Sequence, residues 1–196
     1  MVQSDTQHIE IQNVGNGPVV GVNTGTINYT INQAVRLPSL IAPVVVAMAD
    51  FDESIEETNA QPKVAFQVEE KIEHNCVIKY KSIIEDYFIF YSQCEEVLDI
   101  YDNTKMGAKA KILRCVKNWY SEAKGELLKI NKQSKKSEIE LIRENADFLI
   151  DKVKDRIYAA VQENANETAY IEDVEIGVVC FVCFCFMACK ILEKPK

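Results

Sequence analysis

The sequence is poor in the side chains that most enzymes use for catalysis. It has only two histidines, His8 and His74, and neither lies in a pattern that joins a nucleophile to a base and an orienting acid. It also has neither a GxxxxGK(S/T) phosphate loop nor a GxGxxG turn between a strand and a helix, so nucleotide binding has no sequence support. We therefore predict a protein that is not an enzyme, with no catalytic residues and no cofactor.

Long runs of positive charge are also missing. The chain has 22 Lys and Arg against 30 Asp and Glu, which gives a formal net charge of −8. The only basic cluster, Lys132, Lys135 and Lys136, lies in a predicted connection between two helices. Because phosphate contacts need neutralising cations, we expect no direct binding to nucleic acid.

The N-terminal sequence lacks the charged and apolar regions of a secretory signal. We therefore expect a protein of the bacterial cytoplasm whose seven cysteines are reduced. Cys180 and Cys183 have the spacing of a zinc half-site, but they lie in an apolar run without polar residues that could orient metal ligands. Buried cysteines that act as small hydrophobic side chains are the favoured interpretation, and no metal site is predicted.

The longest apolar run, residues 176–189, is shorter than the roughly 18–20 residues that a membrane span requires. Since it is apolar on every side, it must be surrounded by protein or by lipid. The length favours a buried core helix. The alternative is a tail-anchored membrane effector in which residues 174–192 insert into the bilayer.

The first 33 residues have the composition of strands and turns. β-Branched residues, asparagine and threonine are mixed between residues 9 and 31, and Gly17, Gly21 and Gly25 recur every four residues. This pattern predicts a β-hairpin or β-arc segment over residues 1–33, which is too small to be stable alone. It should pack on the rest of the chain or pair with other copies. The candidate residues for such assembly are Ile11, Gln12, Val14, Gly17, Val20, Gly21, Val22, Gly25 and Ile27.

The remaining sequence predicts a helical domain. Residues 34–62 are interpreted as a short packed apolar segment, with Pro38 and Pro43, followed by an acidic linker. From residue 63 to 196 the apolar residues recur at intervals of three and four, which predicts a first long helix from Val68 to Tyr101 and three more helices. The predicted apolar face of the second helix comprises Ala108, Ile112, Cys115, Trp119, Ala123, Leu127 and Ile130, and that of the third comprises Ile139, Ile142, Ala146, Leu149, Val153, Ile157 and Val161. Ser137 is the expected N-cap of the third. The predicted fold is therefore mainly α, a bundle of about four helices with a small Gly/Asn-rich N-terminal β appendage.

Three stretches of the helical domain resemble a known family. The run VAFQVEEKIEHN from Val64 resembles the entry motif "PF-x-x-x-x-KI-x-x-N" of the C-terminal domain shared by bacterial ABC three-component conflict systems. The closing residues 189–195, CKILEKP, resemble the "CKILE-x-P" end of that domain, and Asn145-Ala146-Asp147 is similar to its "N-x-D-x-I" step. The resemblance covers roughly residues 62–196.

This resemblance implies a docking domain, not an active site. In the family the domain tethers a variable N-terminal effector to an SMC-like ABC ATPase and a small middle component, in operons that include the Lamassu type of anti-phage defence. No metal-binding or hydrolytic motif precedes the domain here, so a nuclease role is not implied. The resemblance makes the C-terminal residues the expected partner contacts: Cys189, Lys190, Ile191, Leu192, Glu193 and Pro195.

A second alternative concerns the N-terminal segment. Residues 11–15, IQNVG, are loosely similar to amyloid signalling motifs built around an I/V-Q-I/V-G core, although one extra residue interrupts the match. Pro18 lacks the N–H that a continuous cross-β ladder needs. A polymerising, amyloid-like signalling protein therefore remains the alternative to a small β cap or to strand pairing between subunits.

Overall fold

The computed structural model describes residues 38–49, 68–164 and 169–195, which all belong to one unit, Arg36–Lys196. In these ranges the chain is helical and contains no strand, so the prediction of a mainly α fold is confirmed. The predicted β segment, residues 1–33, and the acidic part of the predicted linker lie outside the described residues. In chain order the helices are α1 (Ile41–Ala47), α2 (Val68–Asn75), α3 (Lys81–Tyr87), α4 (Tyr91–Thr104), α5 (Ala108–Ile130), α6 (Glu138–Glu144), α7 (Ala146–Gln162) and α8 (Ile171–Met187).

The stretch predicted as one long helix from Val68 to Tyr101 is divided into α2, α3 and α4, with a 3₁₀ turn at Phe88–Phe90 before α4. The first break follows α2, where Cys76 adopts a left-handed conformation with φ of 54° and is exposed. Apolar side chains at intervals of three and four can share one buried face even when the helix is interrupted. The periodicity therefore does not distinguish one long helix from several short ones.

The second predicted helix is α5, although its buried face is centred one residue further along the chain than the sequence predicts. Val116 and Tyr120 are buried, whereas the predicted core residues Cys115 and Trp119 are only half-buried. Ile130, at the end of the predicted face, is 82% exposed. The other predicted core residues are buried, namely Ala108, Ile112, Ala123 and Leu127.

The third predicted helix begins at Ser137, as expected. The Glu140 backbone N–H donates to Ser137 Oγ over 3.4 Å, and the Ser137 N–H donates to the Glu140 carboxylate over 2.7 Å, which makes a capping box. The helix is interrupted at Asn145, so it forms two helices, α6 and α7. The predicted core face of α7 is buried nonetheless, at Ala146, Leu149, Val153, Ile157 and Val161.

α8 lies at the centre of the bundle. It packs against α1, α4 and α7, and Phe181, Cys185 and Phe186 have no exposed surface. The prediction that this apolar run is a buried core helix is confirmed. Among the described residues, none of the helices combines the length and the apolar character needed to cross a membrane.

α1 is a short helix that packs against α8. It contains Pro43 in its first turn, where a missing N–H removes no helical hydrogen bond. Val44 and Val45 are buried against α4, α7 and α8. At the crossing of α1 and α8, a Cβ atom added to Gly177 would lie 2.0 Å from the carbonyl oxygen of Val45. Only glycine therefore allows the two backbones to approach this closely.

Candidate functional site

The C-terminal tail, residues 188–195, turns back over the end of α8. The Cys189 N–H donates to Phe186 O over 3.1 Å and the Lys190 N–H donates to Cys185 O over 2.8 Å. With Cys189 left-handed at φ of 54°, these two bonds form a Schellman motif. The motif satisfies two of the carbonyls that the last turn of a helix leaves open, and it directs the following residues back into the bundle.

Lys71 of α2 completes the end of α8. Its side chain is fully buried, and its ammonium group donates to the carbonyl oxygen of Phe186 and, over 2.9 Å, to that of Ile191. Nζ also lies 4.3 Å from the centroid of the Phe186 ring, a cation–π distance. Burial lowers the pKa of Lys71 to about 8. The helix C-terminus is a favourable place for a cation, because its carbonyl dipoles point at it.

Asn75, one turn after Lys71, bonds the tail backbone from the same side of α2. Its Nδ2 donates to Glu193 O over 2.8 Å, and its Oδ1 accepts the Glu193 N–H over 3.0 Å. Nδ2 also donates to Lys71 O over 2.9 Å. The buried amide therefore holds both backbone groups of one tail residue, as a neighbouring strand would.

The Glu193 side chain links the tail to α5. Its carboxylate accepts the Tyr120 hydroxyl over 2.8 Å and lies 3.3 Å from Lys124 Nζ. Burial alone would raise the pKa of Glu193, but the bonds from Tyr120 and Lys124 outweigh burial and lower it. Lys124 also pairs with Glu138 of α6 over 2.9 Å. We call Lys71, Asn75, Tyr120 and the tail together the latch.

The latch changes the interpretation of the predicted partner-contact residues. Ile191 is 0% exposed and Leu192 is 1% exposed, and Pro195 is also buried. These side chains lie in the chain's own core, because the turn at Cys189 brings the tail back into the bundle. Glu193 is engaged in internal bonds, and Cys189, Lys190 and Glu193 are half-buried and present part of their surface. In this conformation Ile191, Leu192 and Pro195 offer no side-chain surface to a partner.

A second set of contacts fixes the corner between α2 and α3. The Asp147 carboxylate, at the start of α7, accepts the backbone N–H groups of Ile78 and Lys79 over 3.3 and 3.0 Å. Arg143 Nε donates to His74 O over 2.6 Å. The corner directly follows α2, which belongs to the first stretch that carries the family resemblance. The other two stretches, residues 145–147 and 189–195, thus also contact this part of the chain.

Asp151 strengthens the same corner from the next turn of α7. Its carboxylate pairs with Lys79 Nζ over 2.6 Å and accepts the hydroxyl of Tyr80. Burial alone would raise the pKa of Asp151, but the bonds from Lys79 and Tyr80 lower it. Burial and the neighbouring Asp151 raise the pKa of Tyr80, so this hydroxyl stays a donor at neutral pH.

A cavity of about 330 Å³ adjoins this corner. Two apolar side chains stand at its rim, Ile78 of the corner at 81% exposure and Phe148 of α7 at 47% exposure. Concave sites with exposed apolar rims suit the anchoring side chains of protein partners. The cavity is lined by Cys76, Ile78, Arg143, Glu144, Asn145, Ala146, Asp147 and Phe148.

The buried cysteines Cys180 and Cys183 of α8 are not reactive thiols. Burial raises the pKa of Cys180 and of Cys183 to about 12, so both thiols are protonated at neutral pH. Across residues 38–49, 68–164 and 169–195, no group of three or more His, Cys, Asp or Glu side chains is placed to hold a metal ion. Nδ1 of His74 lies 3.4 Å from Nη2 of Arg143. Among the described residues, His74 has no hydrogen bond to a nucleophilic side chain.

Lys71 and Asn75 are site residues that the sequence analysis does not name as functional, although both stand at fixed positions of the motif "KI-x-x-N". A signal for them exists, because residues 68, 71, 72 and 75 share one helix face, so a lysine and an asparagine stand on an otherwise apolar stripe. The β-assembly residues between Ile11 and Ile27 lie outside the described residues. No protein-family model, curated protein or solved structure matches this chain.

Proposed function

We propose that this chain is a non-catalytic adaptor, the coupling subunit of a bacterial ABC three-component defence system. Its helical domain docks on an SMC-like ATPase or on the middle component, and its N-terminal segment, residues 1–33, mediates assembly. The observation that carries the proposal is the latch: Lys71 and Asn75, from the first resembling motif, bond the tail that forms the last one.

The separation of the latch residues gives this observation its weight. The bond from Lys71 to Ile191 joins residues 120 positions apart, and the bond from Asn75 to Glu193 joins residues 118 apart. Motif positions that match a family by chance have no reason to meet in space. Positions that close a domain do, since the same contacts are needed wherever the domain folds.

The docking surface that we propose is the cavity beside the latch. The tail's own apolar residues are buried, so a partner needs other anchors, and the rim residues Ile78 and Phe148 provide them. An exposed isoleucine and an exposed aromatic ring next to a concavity form the usual centre of a protein interface. Arg143 and Asp147 in the cavity lining add directional polar contacts.

Co-purification of the tagged full chain with the products of its genomic neighbours tests this proposal. We expect recovery of an SMC-like ATPase, and we expect the substitution Ile78→Asp to abolish it. Ile130→Asp is the matched control, because Ile130 is 82% exposed and is not part of the cavity lining. A wild-type chain that purifies without any of its neighbours contradicts the adaptor role, and equal losses for both substitutions contradict the cavity as the docking surface.

The two alternatives from the sequence are tested separately. A tail-anchored effector needs α8 in lipid, whereas the described structure encloses α8 between α1, α4 and α7. Recovery of the chain in the membrane pellet, released only by detergent, is the result expected of that alternative. Thioflavin binding by a peptide of residues 8–32 is the result expected of the amyloid-like alternative, and a monomeric peptide that stays in solution counts against it.

A further inference from the structure

The groove that holds α1 has properties of a binding site for a separate helix. α1 is seven residues long, and helices of this length do not persist in water without tertiary contacts. Its stability therefore comes from the groove, where Ile41, Val44 and Val45 are buried. The groove also restricts which helix it binds. The backbone of α1 comes so close to Gly177 of α8 that a side chain at position 177 would not fit.

One polar contact fixes the direction in which α1 enters the groove. The Ser39 N–H donates to Asn164 Oδ1, at the end of α7, over 3.2 Å. Ser39 Oγ in turn accepts the N–H groups of Ile41 and Ala42 over 3.1 and 3.3 Å, which caps the start of α1. A helix with the sequence of α1 therefore fits the groove in one orientation.

The connection between α1 and the rest of the bundle is long. Residues 50–67 join α1 to α2, and a chain of this length reaches at most about 60 Å when extended. On its other side α1 continues into residues 1–37. α1 is thus a short docked helix whose connection to α2 is long enough to reach a groove on another copy.

We infer that the same groove binds α1 of a second copy of this chain, so that copies exchange α1 when they are brought close together. α1 of a second copy has the same sequence as the helix that fills the groove. It therefore has the same capping residue, Ser39, and can make the same close backbone contact with Gly177. Exchange of an identical element between protomers is a low-cost route to oligomers, because every contact of the closed monomer is reused.

Local concentration decides between the closed and the exchanged form. Because residues 50–67 join α1 covalently to α2, a connection of this length holds α1 near its own groove at an effective concentration in the millimolar range. When copies are held together, α1 of one copy reaches a similar local concentration near the groove of another. The closed and the exchanged forms then have similar free energies. What brings the copies together is the assembly of residues 1–33, and in this respect the inference rests on the proposed function.

A complementation experiment with two full-length variants tests the exchange. Gly177→Ala blocks the groove but keeps α1, and the three atoms nearest to the added methyl group all belong to Val45 of α1, so the bundle itself should fold. Val44→Asp prevents α1 from docking but keeps the groove. Sedimentation of each variant alone gives the baseline association through residues 1–33, and the mixture, titrated to about 1 mM, should show an additional 1:1 association above that baseline, which is the exchange complex.

Gly125→Ala is the matched control for the donor. Gly125 lies on the exposed side of α5 with nothing within 4 Å of an added Cβ atom, so this variant keeps its own α1 docked. Its apparent dissociation constant with Val44→Asp should be at least about 10-fold higher than that of Gly177→Ala, because the donor helix must first leave its own groove.

The outcomes separate this inference from the proposed function. Absence of a complex between folded Gly177→Ala and Val44→Asp overturns the exchange, whether or not the chain binds an ATPase. If Gly177→Ala does not fold, wild type replaces it as the donor at the highest concentration, and absence of a complex with Val44→Asp again overturns the exchange. A complex in either experiment supports the exchange even if no neighbouring gene product binds.

Discussion

α8 is held at two places by different kinds of contact. At Gly177 it meets α1 through close packing against Val45, while the Ser39 N–H before α1 donates to Asn164 Oδ1 at the end of α7. At its C-terminal end it is held by the polar groups of Lys71 and Asn75. Buried polar bonds are expensive to break because the groups left behind lose their partners, whereas an apolar helix can leave and be replaced by an identical one. The latch is therefore the fixed end of α8, and the α1 contact is the exchangeable one.

The largest effect that we predict is that of Lys71→Met. The substitution keeps the apolar stem but leaves the buried carbonyl oxygens of Phe186 and Ile191 without this donor, which should lower the free energy of unfolding by about 2–3 kcal/mol. Urea unfolding followed by circular dichroism measures it. Lys129→Met, at an exposed lysine of α5, is the control and should change stability by less than about 0.5 kcal/mol. Equal stabilities of the two variants would show that the latch is not the fixed end.

The effect of Lys71→Met should also depend on pH. Folding lowers the pKa of Lys71 from 10.5 to about 8, so between these values the unfolded chain binds more protons and the folded state gains stability as the pH rises. The advantage of wild type over Lys71→Met should grow by about 2 kcal/mol from pH 8 to pH 10, and it should be constant below pH 8.

Urea unfolding of both proteins between pH 7 and pH 10 measures this growth. The buried thiols of Cys180 and Cys183 act in the opposite direction above pH 9, because burial raises their pKa to about 12. They are common to both proteins and cancel in the difference. A stability difference between wild type and Lys71→Met that stays constant up to pH 10 would contradict the lowered pKa of the buried Lys71 amine.

The two glycines of the long helices should give opposite results. Gly177→Ala should destabilise the chain by about 1–2 kcal/mol and speed hydrogen exchange of residues 41–48, because α1 is pushed from its groove. Gly125→Ala should stabilise it by about 0.5–1 kcal/mol, because alanine costs less backbone entropy in a helix. Hydrogen exchange read by mass spectrometry measures both. Unchanged exchange of α1 in Gly177→Ala would contradict the tight backbone approach.

The smallest effect that we predict is that of Tyr120→Phe, which removes one outer bond of the latch. Glu193 keeps Lys124 as a partner, so the loss should be about 1 kcal/mol at pH 7. Since the Tyr120 hydroxyl helps to lower the pKa of Glu193, the loss should diminish as the pH falls and this carboxylate becomes protonated. Unfolding at pH 7 and pH 4 checks this, and a larger loss at pH 4 would contradict the assigned bond.

The sequence predicts those parts of the fold that depend on local patterns. The buried run of α8, the cap at Ser137 and the apolar face of α7 follow from composition, capping chemistry and periodicity. The break at Cys76 does not, because it depends on distant partners: the bonds from Asn75 to Glu193 and from the N–H groups of Ile78 and Lys79 to Asp147. The spacing of residues along the sequence does not indicate such bonds.

The burial of the tail is hidden in the sequence for the same reason. The family resemblance makes Ile191 and Leu192 expected partner contacts, and their neighbours in sequence do not show that both side chains are buried. The left-handed turns at Cys189 and Leu192 reverse the chain and place both side chains in the core. Left-handed conformations are usual for glycine and uncommon for cysteine and leucine, so the turns have no local signature here.

The long reach of the latch also sets an order of events during synthesis. The bond from Lys71 to Ile191 spans 120 residues, so it cannot form until the ribosome has made almost the whole chain. At about 5–20 residues per second, the roughly 160 residues after the N-terminal segment take about 8–30 seconds to translate, so this segment emerges well before the helical domain can close. During this interval α1 has been translated, but the apolar run of α8 has not been completed. The groove that holds α1 therefore forms only well after α1 itself has been made.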